Sequence, residues 1–430
     1  MMEARRLFRS QNARGSAVIA FSMSAAGLGY FVFGLLPGTS YSSRELSILS
    51  VWQALSFGAG LVVASPLNGV VYTELLRARG DLADDGFSGV CRAVVLVGVT
   101  TSVLLLVSSL IANSLFNGDL LLAGLAALSV SLQIVAALQR AVFSALGRWH
   151  RFSAQFLVEG IGRVLFSALV VQFSDSLRLL VLMNVVSQLI SVVVAGRPRS
   201  WWPRLATLRN PNWGIVLRSV APYLLAGFTI QSTLSMTPFY ARTLAGVSSI
   251  GIAALGGLVQ ILRIPTTLTV AIVMPRVRNG AQFLLDGVPS AYRRLVTRTV
   301  GLLSGLWFAY GVLVAVVLRS ISSRLTYGIE FHIDVLMLAT LVCALGPVST
   351  YLHTSFMFHQ RFREASQIWG VCLVIFVAGC TFGSSSVSGI LGSVVGSLGF
   401  ASLALYRANI GLGRSRGRLP DDSRPIIGDQ

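Results

Sequence analysis

The stretch LVQILRIPTTLTVAIVMPR, Leu258 to Arg276, decides how the chain is read. Its apolar run is that of a helix in hydrocarbon, yet Arg263 stands in the middle of it, two residues ahead of Pro265. A guanidinium at that depth costs several kcal/mol unless it faces a bundle interior or a wet cavity. The reading outward therefore asks whether the rest of the chain builds such an interior. Of the 430 residues, 54% are hydrophobic and only 12% charged, about half the charged share of a soluble domain. Apolar runs of about 20 residues, enough to cross a hydrocarbon core of about 30 Å, recur throughout. The expected fold class is all-α and polytopic, with no soluble domain.

Hydropathy and punctuation by Gly, Pro and charge place about twelve transmembrane helices near 16–38, 46–70, 93–112, 119–144, 154–173, 177–195, 219–239, 248–273, 299–318, 334–358, 366–383 and 388–406. The net charge is +18, and all 34 basic residues are Arg. In a soluble chain that excess would suggest nucleic acid, but here it falls in alternate connections: 27 arginines on one side, five on the other, with Arg163 and Arg263 inside spans. The positive-inside rule then puts both termini in the cytoplasm. Nucleic acid is not an expected partner, and the plasma or inner membrane is the expected location.

The start MMEARRLFRSQNARG before the first span reads as a retained signal anchor, and the residues after 406 as a solvated tail. Cys91, Cys343, Cys372 and Cys380 match neither a zinc site nor a disulfide framework and read as buried apolar-like side chains. GRWHRFSAQ after the fourth span is echoed by HQRFREASQ after the tenth, with Arg151-Phe152 recurring 210 residues later as Arg361-Phe362. The loops after the second and eighth spans, YTELLRARGD and VMPRVRNG, match about 201 residues apart. The organisation expected is a cytoplasmic N-terminus 1–15, an N-lobe 16–196, a basic interlobe loop 197–218, a C-lobe 219–406 and a cytoplasmic tail 407–430. Trp201, Trp202 and Trp213 of the interlobe loop suit a membrane interface.

Polar residues recur at helical spacing. Gly256, Gln260, Arg263 and Thr267 share one face of the eighth span, where Pro265 is expected to kink the helix and free carbonyls for a cavity. Gln155, Glu159, Arg163 and Ser167 stand at successive i, i+4 positions of the fifth. Two readings stay open there: a Glu159–Arg163 pair neutralised between helices, or cavity lining. Gln231, Ser129, Gln133, Arg140, Asn184, Gln188, Thr350 and His353 add polar groups from other spans, either as helix-to-helix hydrogen bonds or around a cavity. The candidate cavity set is Arg163, Arg263, Glu159, Gln260, Gln231, Gln133, Arg140 and His353. Cations outnumber anions in it, and guanidinium is the group of choice for phosphate. No GxxxxGK[ST], HExxH or GxSxG in a suitable setting occurs, so neither an enzyme nor a resident cofactor or metal is expected.

On the twelve-span two-lobe plan, the basic-aromatic loop GRWHRFSAQ before an Arg-bearing fifth span, and the ending IPTTLTVAIVMPRVRNG of the eighth, the chain resembles the polysaccharide transporters of the multidrug/oligosaccharidyl-lipid/polysaccharide (MOP) exporter superfamily. The resemblance is to the O-antigen and teichoic-acid type flippases, with a MATE-like fold. It implies turnover of polyprenyl-phosphate-linked oligosaccharide by alternating access, with Arg163 and Arg263 on the lipid phosphates. It also implies membrane lipids and the glycosyltransferases or polymerase of the same pathway as partners. The drug-exporting branch carries an acid in the opening helix of its first lobe, whereas SAVIAFSMSAAGLGYFVFGLLPG has none. A multidrug or metabolite exporter, including a major-facilitator type, and a membrane glycan polymerase are the alternatives. A polymerase needs a large outer loop, and the longest here, about 319–333, is short.

Overall fold

The computed structural model describes residues 21–22, 25–27, 29, 32–33, 40–59, 103, 115–145, 148–196, 227–230, 232–285, 287–325, 331–358, 361–383 and 385–412. Helices account for nearly all of these, and no strand occurs among them. In chain order they are α1 (Ser43–Gln53, continued by a π-helical turn Ala54–Ala59), α2 (Leu120–Ala145), α3 (Trp149–Phe173), α4 (Leu177–Ala195) and α5 (Thr237–Thr243). Then follow α6 (Ser249–Leu285), α7 (Pro289–Leu325), α8 (Ile333–Phe358), α9 (Phe362–Phe382) and α10 (Val387–Leu412). Eight of them, α2 to α4 and α6 to α10, are long and apolar enough to cross a membrane. The interlobe loop with its three tryptophans, the third span apart from Val103, Cys91, Gln231 and both chain ends lie outside the described residues.

On α3 and α4 the polar rows turn inward, beside a core that is otherwise largely apolar, and apolar rows face out. On α3 the i, i+4 row Gln155, Glu159, Arg163 and Ser167 is buried, while the parallel row Ile161, Leu165, Leu169 and Phe173 is exposed. On α4, Asn184, Ser187, Gln188 and Ser191 are buried and Leu189, Val193 and Val194 exposed. Lipid solvates the apolar rows, so the hydrogen-bonding groups turn inward. Cys343, Cys372 and Cys380 are free and buried, as expected of apolar-like cysteines.

Packing sorts the described helices into two groups. In one, α2, α3 and α4 pack on one another, with α1 and its π-turn against α2 and α4; in the other, α6 to α10 pack together around α8. The chief contact between the groups is α1 on α6. Both helices begin the same way: Ser42 Oγ accepts from Glu45 N at 3.3 Å, and Ser248 Oγ accepts from Gly251 N at 3.2 Å. Eight residues into each, Ser50 of α1 meets Gly256 of α6, and a Cβ at Gly256 would collide with the Ser50 side chain. Ser50 and Gly256 are related by the same 206-residue step as the two caps, so each helix uses an equivalent point to touch the other, as in a two-fold contact.

A second register relates α2 to α8 and the start of α3 to that of α9. Leu120 and Ile333, which open α2 and α8, and Ala145 and Phe358, which close them, are each 213 residues apart. Arg148 and Arg361, the residues before α3 and α9, keep that step and share an unusual backbone conformation, φ −84°, ψ 60° and φ −86°, ψ 53°. The repeat therefore matches Arg361 with Arg148, one helical turn away from the Arg151–Arg361 match that the sequence suggests. The similar letters fall in both loops, but only the caps fix the register.

Pro265 does not interrupt α6, which runs on as one helix to Leu285. A proline withholds the N–H that would bond the carbonyl four residues back, here that of Ile261. The Tyr310 hydroxyl of α7 donates to that carbonyl at 3.4 Å. The freed carbonyl is thus taken by a neighbouring helix and is not offered to a cavity, which corrects the expectation from sequence.

Candidate functional site

The N-terminal group holds a buried ionic cluster built by α2, α3 and α4. Glu159 is nearly inaccessible and accepts from two guanidiniums: Arg163 Nη2 at 2.6 Å, one turn along α3, and Arg140 Nη2 at 2.5 Å, from α2. The i, i+4 pairing was one of the two readings open from sequence. The bond to Arg140 joins helices and has no sequence signature. Two guanidiniums thus share one carboxylate, a charge of +1 summed over these three side chains.

The surroundings fix each member. The Arg163 guanidinium lies over the Phe57 ring of the π-turn, 4.6 Å from its centroid, and that of Arg140 over Phe156 of α3 at 3.8 Å, a stabilising placement for a cation in a dry setting. The Gln188 amide of α4 satisfies both its ends when its oxygen faces Arg163 Nη2 at 3.0 Å and its nitrogen donates to Ser129 Oγ at 2.9 Å. Gln155 Nε2 donates to Gln139 Oε1 at 2.7 Å, and Gln139 Nε2 to the Val192 carbonyl at 3.1 Å. Gln133, one turn beyond Ser129 on α2, is buried with its Nε2 unbonded. Gly160, beside Glu159, lets the helical residues Ala25, Ala26 and Gly29 approach α3 backbone to backbone: a Cβ there would lie 2.6 Å from the Ala25 carbonyl oxygen.

Access to this cluster is uneven. Arg163 is completely inaccessible and Glu159 only 3% exposed, whereas the Arg140 side chain is 14% exposed, with a buried Nε that has no partner. In this conformation Arg163 does not line an open cavity as the sequence reading expects. Glu159, Gln188 and Phe57 enclose it, because a lone guanidinium at that depth is too costly. Arg140 is the member of the cluster at its accessible edge.

The stripe that holds Arg263 lies elsewhere. Gln260 is buried and donates from Nε2 to Gln53 Oε1 at 3.1 Å, across the α1–α6 contact. Arg263 follows one turn later on the same face of α6 and is half-buried; the Thr267 side chain lies outside the described residues. Gln260 thus serves as a bond between the two groups, while Arg263 stands just past the place where they touch. His353 of α8 is half-buried and accepts from Trp369 Nε1 of α9 at 3.2 Å through Nδ1. The structure therefore brings Arg140, Glu159 and Arg163 together, ties Gln260 to Gln53 across the α1–α6 contact, and ties His353 to Trp369. Gln188, Phe57 and Phe156 are not in the candidate set, and the sequence marks Gln188 only as a polar residue of its span. Among the described residues no group of three or more His, Cys, Asp or Glu could hold a metal ion.

No family model matches the chain, and no curated protein matches it in sequence. Its fold does have solved counterparts. An inward-facing conformation of a multidrug resistance MATE family transporter of the MOP superfamily superposes with a TM-score of 0.67 at 11% identity, over 92% of this chain and 96% of that one. An outward-facing conformation of such a transporter gives 0.63 at 11% identity, over 94% and 97%. A MATE structure in complex with MaD5 gives 0.64 at 12% identity, over 93% and 97%. The chain is thus a multi-pass membrane protein with an all-α, MATE-like fold.

Proposed function

We propose that the protein is an exporter that works by alternating access, and that its cargo is an anion-bearing lipid, a polyprenyl-phosphate-linked oligosaccharide for the cell envelope. The observation that carries this reading is the Arg140–Glu159–Arg163 cluster, two guanidiniums on one carboxylate between membrane-crossing helices. Arg140, at the accessible edge, and the half-buried Arg263 contact the phosphates. Arg163, held by Glu159 and Gln188, keeps the local potential positive. The fold supports transport as such, since similar structures occur in inward-facing and outward-facing forms.

The lobes are six spans each, and both termini are cytoplasmic. Helix starts support that orientation. Those on the side poor in arginine are capped by Ser42, Asp119, Ser176, Ser248 and Ser386, while α3 and α9 on the other side begin after Arg148 and Arg361. Arg next to a helix N-terminus opposes the dipole, and a topology that keeps arginine inside explains why it is there. The contact between α1 and α6 then closes the outer end, and the cargo enters from the cytoplasm. With the cell interior negative, carrying an anion outward releases about 2.3 kcal/mol per charge per 100 mV, so no chemical cosubstrate is required.

The second reading is a drug exporter, favoured by the multidrug transporters among the similar folds. Against it, Glu159 is already bonded to two guanidiniums and is not available to a cationic drug. Proteoliposomes decide between them. The wild type is expected to move a fluorescent polyprenyl-phosphate saccharide across the bilayer and to leave ethidium in place. Arg140→Gln and Arg263→Gln are expected to slow that movement about tenfold or more, the loss of one charge-assisted hydrogen bond. Transport of ethidium without the lipid would overturn the lipid reading.

A further inference from the structure

The 213-residue register carries a consequence for His353. It matches His353 of α8 with Arg140 of α2, and Trp369 of α9 with Phe156 of α3. The matched residues make matched contacts: the Arg140 guanidinium lies 3.8 Å from the Phe156 centroid, and the His353 and Trp369 rings meet edge to face at 5.9 Å. Each group of helices thus presents a nitrogen side chain at the same level, five residues before the end of its helix, backed by an aromatic ring from the next. The two places differ in charge. Glu159 and Arg163 are replaced in the second repeat by Cys372 and Phe376, both buried, with Phe376 packed edge-on against Tyr240 at 5.3 Å.

The Trp369 bond fixes what His353 can offer. An indole N–H only donates, so Nδ1 of His353 must carry a lone pair, and the ring is the neutral tautomer protonated on Nε2. That N–H has no partner among the described residues, and the ring is half-buried. Polar atoms in such a place are as a rule hydrogen-bonded, so this N–H is a donor with capacity to spare.

We propose that His353, held by Trp369, is the counterpart of Arg140 in the second group and donates to an uncharged oxygen of the cargo, a sugar hydroxyl or carbonyl. This rests on the lipid-linked saccharide reading and deepens it: the charged repeat takes the phosphate and the neutral repeat the glycan.

The test measures transport in proteoliposomes of two labelled probes, a polyprenyl diphosphate disaccharide and the same polyprenyl diphosphate without sugar. His353→Leu is expected to raise the apparent KM for the saccharide probe about 3- to 10-fold, one neutral hydrogen bond, and to leave the bare probe unchanged. His353→Gln, which places an amide N–H near the position of Nε2, is expected to recover most of the loss. Arg140→Gln is expected to weaken both probes. Trp369→Phe keeps the ring but frees the tautomer, and the 15N shifts of His353 are expected to change from one Nε2-protonated form to a mixture. Equal effects of His353→Leu on the two probes, or none, would overturn the proposal. If the wild type moves neither probe, the transport reading fails, and equilibrium binding of the same two probes to the solubilised protein decides the His353 assignment by the same ratio.

Discussion

At the scale of single residues, the molecule depends on one carboxylate. Glu159 holds Arg163 and Arg140 at once, so its loss leaves two guanidiniums facing each other in a medium that solvates neither. Removing one partner of a buried pair costs about 3–5 kcal/mol, whereas replacing both with apolar groups is often neutral. Glu159→Gln is therefore expected to lower the thermal midpoint in detergent sharply. The double variant Glu159→Met with Arg163→Met is expected to recover part of it, since only Arg140 at the accessible edge is then left without its carboxylate, while transport stays lost. A Glu159→Gln protein that melts with the wild type would mean that the pair holds nothing together. Gly160 makes a second demand on the same turn. Gly160→Val places a side chain against the Ala25 and Ala26 backbone, and is expected to reduce the yield of folded protein in size-exclusion profiles, because a backbone cannot yield as a side-chain tip does.

At the scale of elements, α6 shows how a membrane helix keeps a proline. The Ile261 carbonyl freed by Pro265 is bonded by Tyr310 of α7, so the defect in one helix becomes a tie to the next. Tyr310→Phe is expected to destabilise by about 1–3 kcal/mol, since it leaves that carbonyl unsatisfied. Pro265→Ala restores the helical donor, and in that background Tyr310→Phe is expected to cost much less. A thermal double-mutant cycle with no coupling would refute the tie. Legibility in sequence differs by element for physical reasons. The range 177–195 was read to the residue because Ser176 and Gly196 mark its ends. The ninth span was expected at 299–318 but extends over Pro289–Leu325. Hydropathy registers the hydrocarbon crossing, not the turns carrying Arg293, Arg294 and Arg298 beyond it. The i, i+4 row on α3 was visible in the same way, whereas the Arg140 bond and the enclosure of Arg163 come from helix contacts that no spacing along the chain encodes.

At the scale of the whole molecule, the sequence shows the repeat only as two pairs of similar loops, because few letters agree where α2 matches α8 in length and α3 matches α9 in its cap. What the halves share mechanically is the crossing of α1 and α6, where Ser50 and Gly256 touch and Gln53 and Gln260 are bonded. Arg242 of α5 adds a bond to Asn117, just ahead of α2, at 3.2 Å. Closure at this end thus rests on one glycine that admits Ser50 and on hydrogen bonds that can be exchanged for water. A side chain at position 256 should penalise this closed form and leave a form open at that end untouched, so the two populations shift by the whole of the clash. Gly256→Leu is accordingly expected to populate an arrangement in which spin labels placed on exposed Arg44 and Ser249 lie farther apart than in the wild type. Its transport should fall while its thermal stability stays close to normal, because the collision is relieved by opening and not by unfolding. Gly256→Ala, with one methyl group, should give an intermediate distribution. Unchanged label distances in Gly256→Leu, with full transport, would remove the α1–α6 crossing from the conformational cycle.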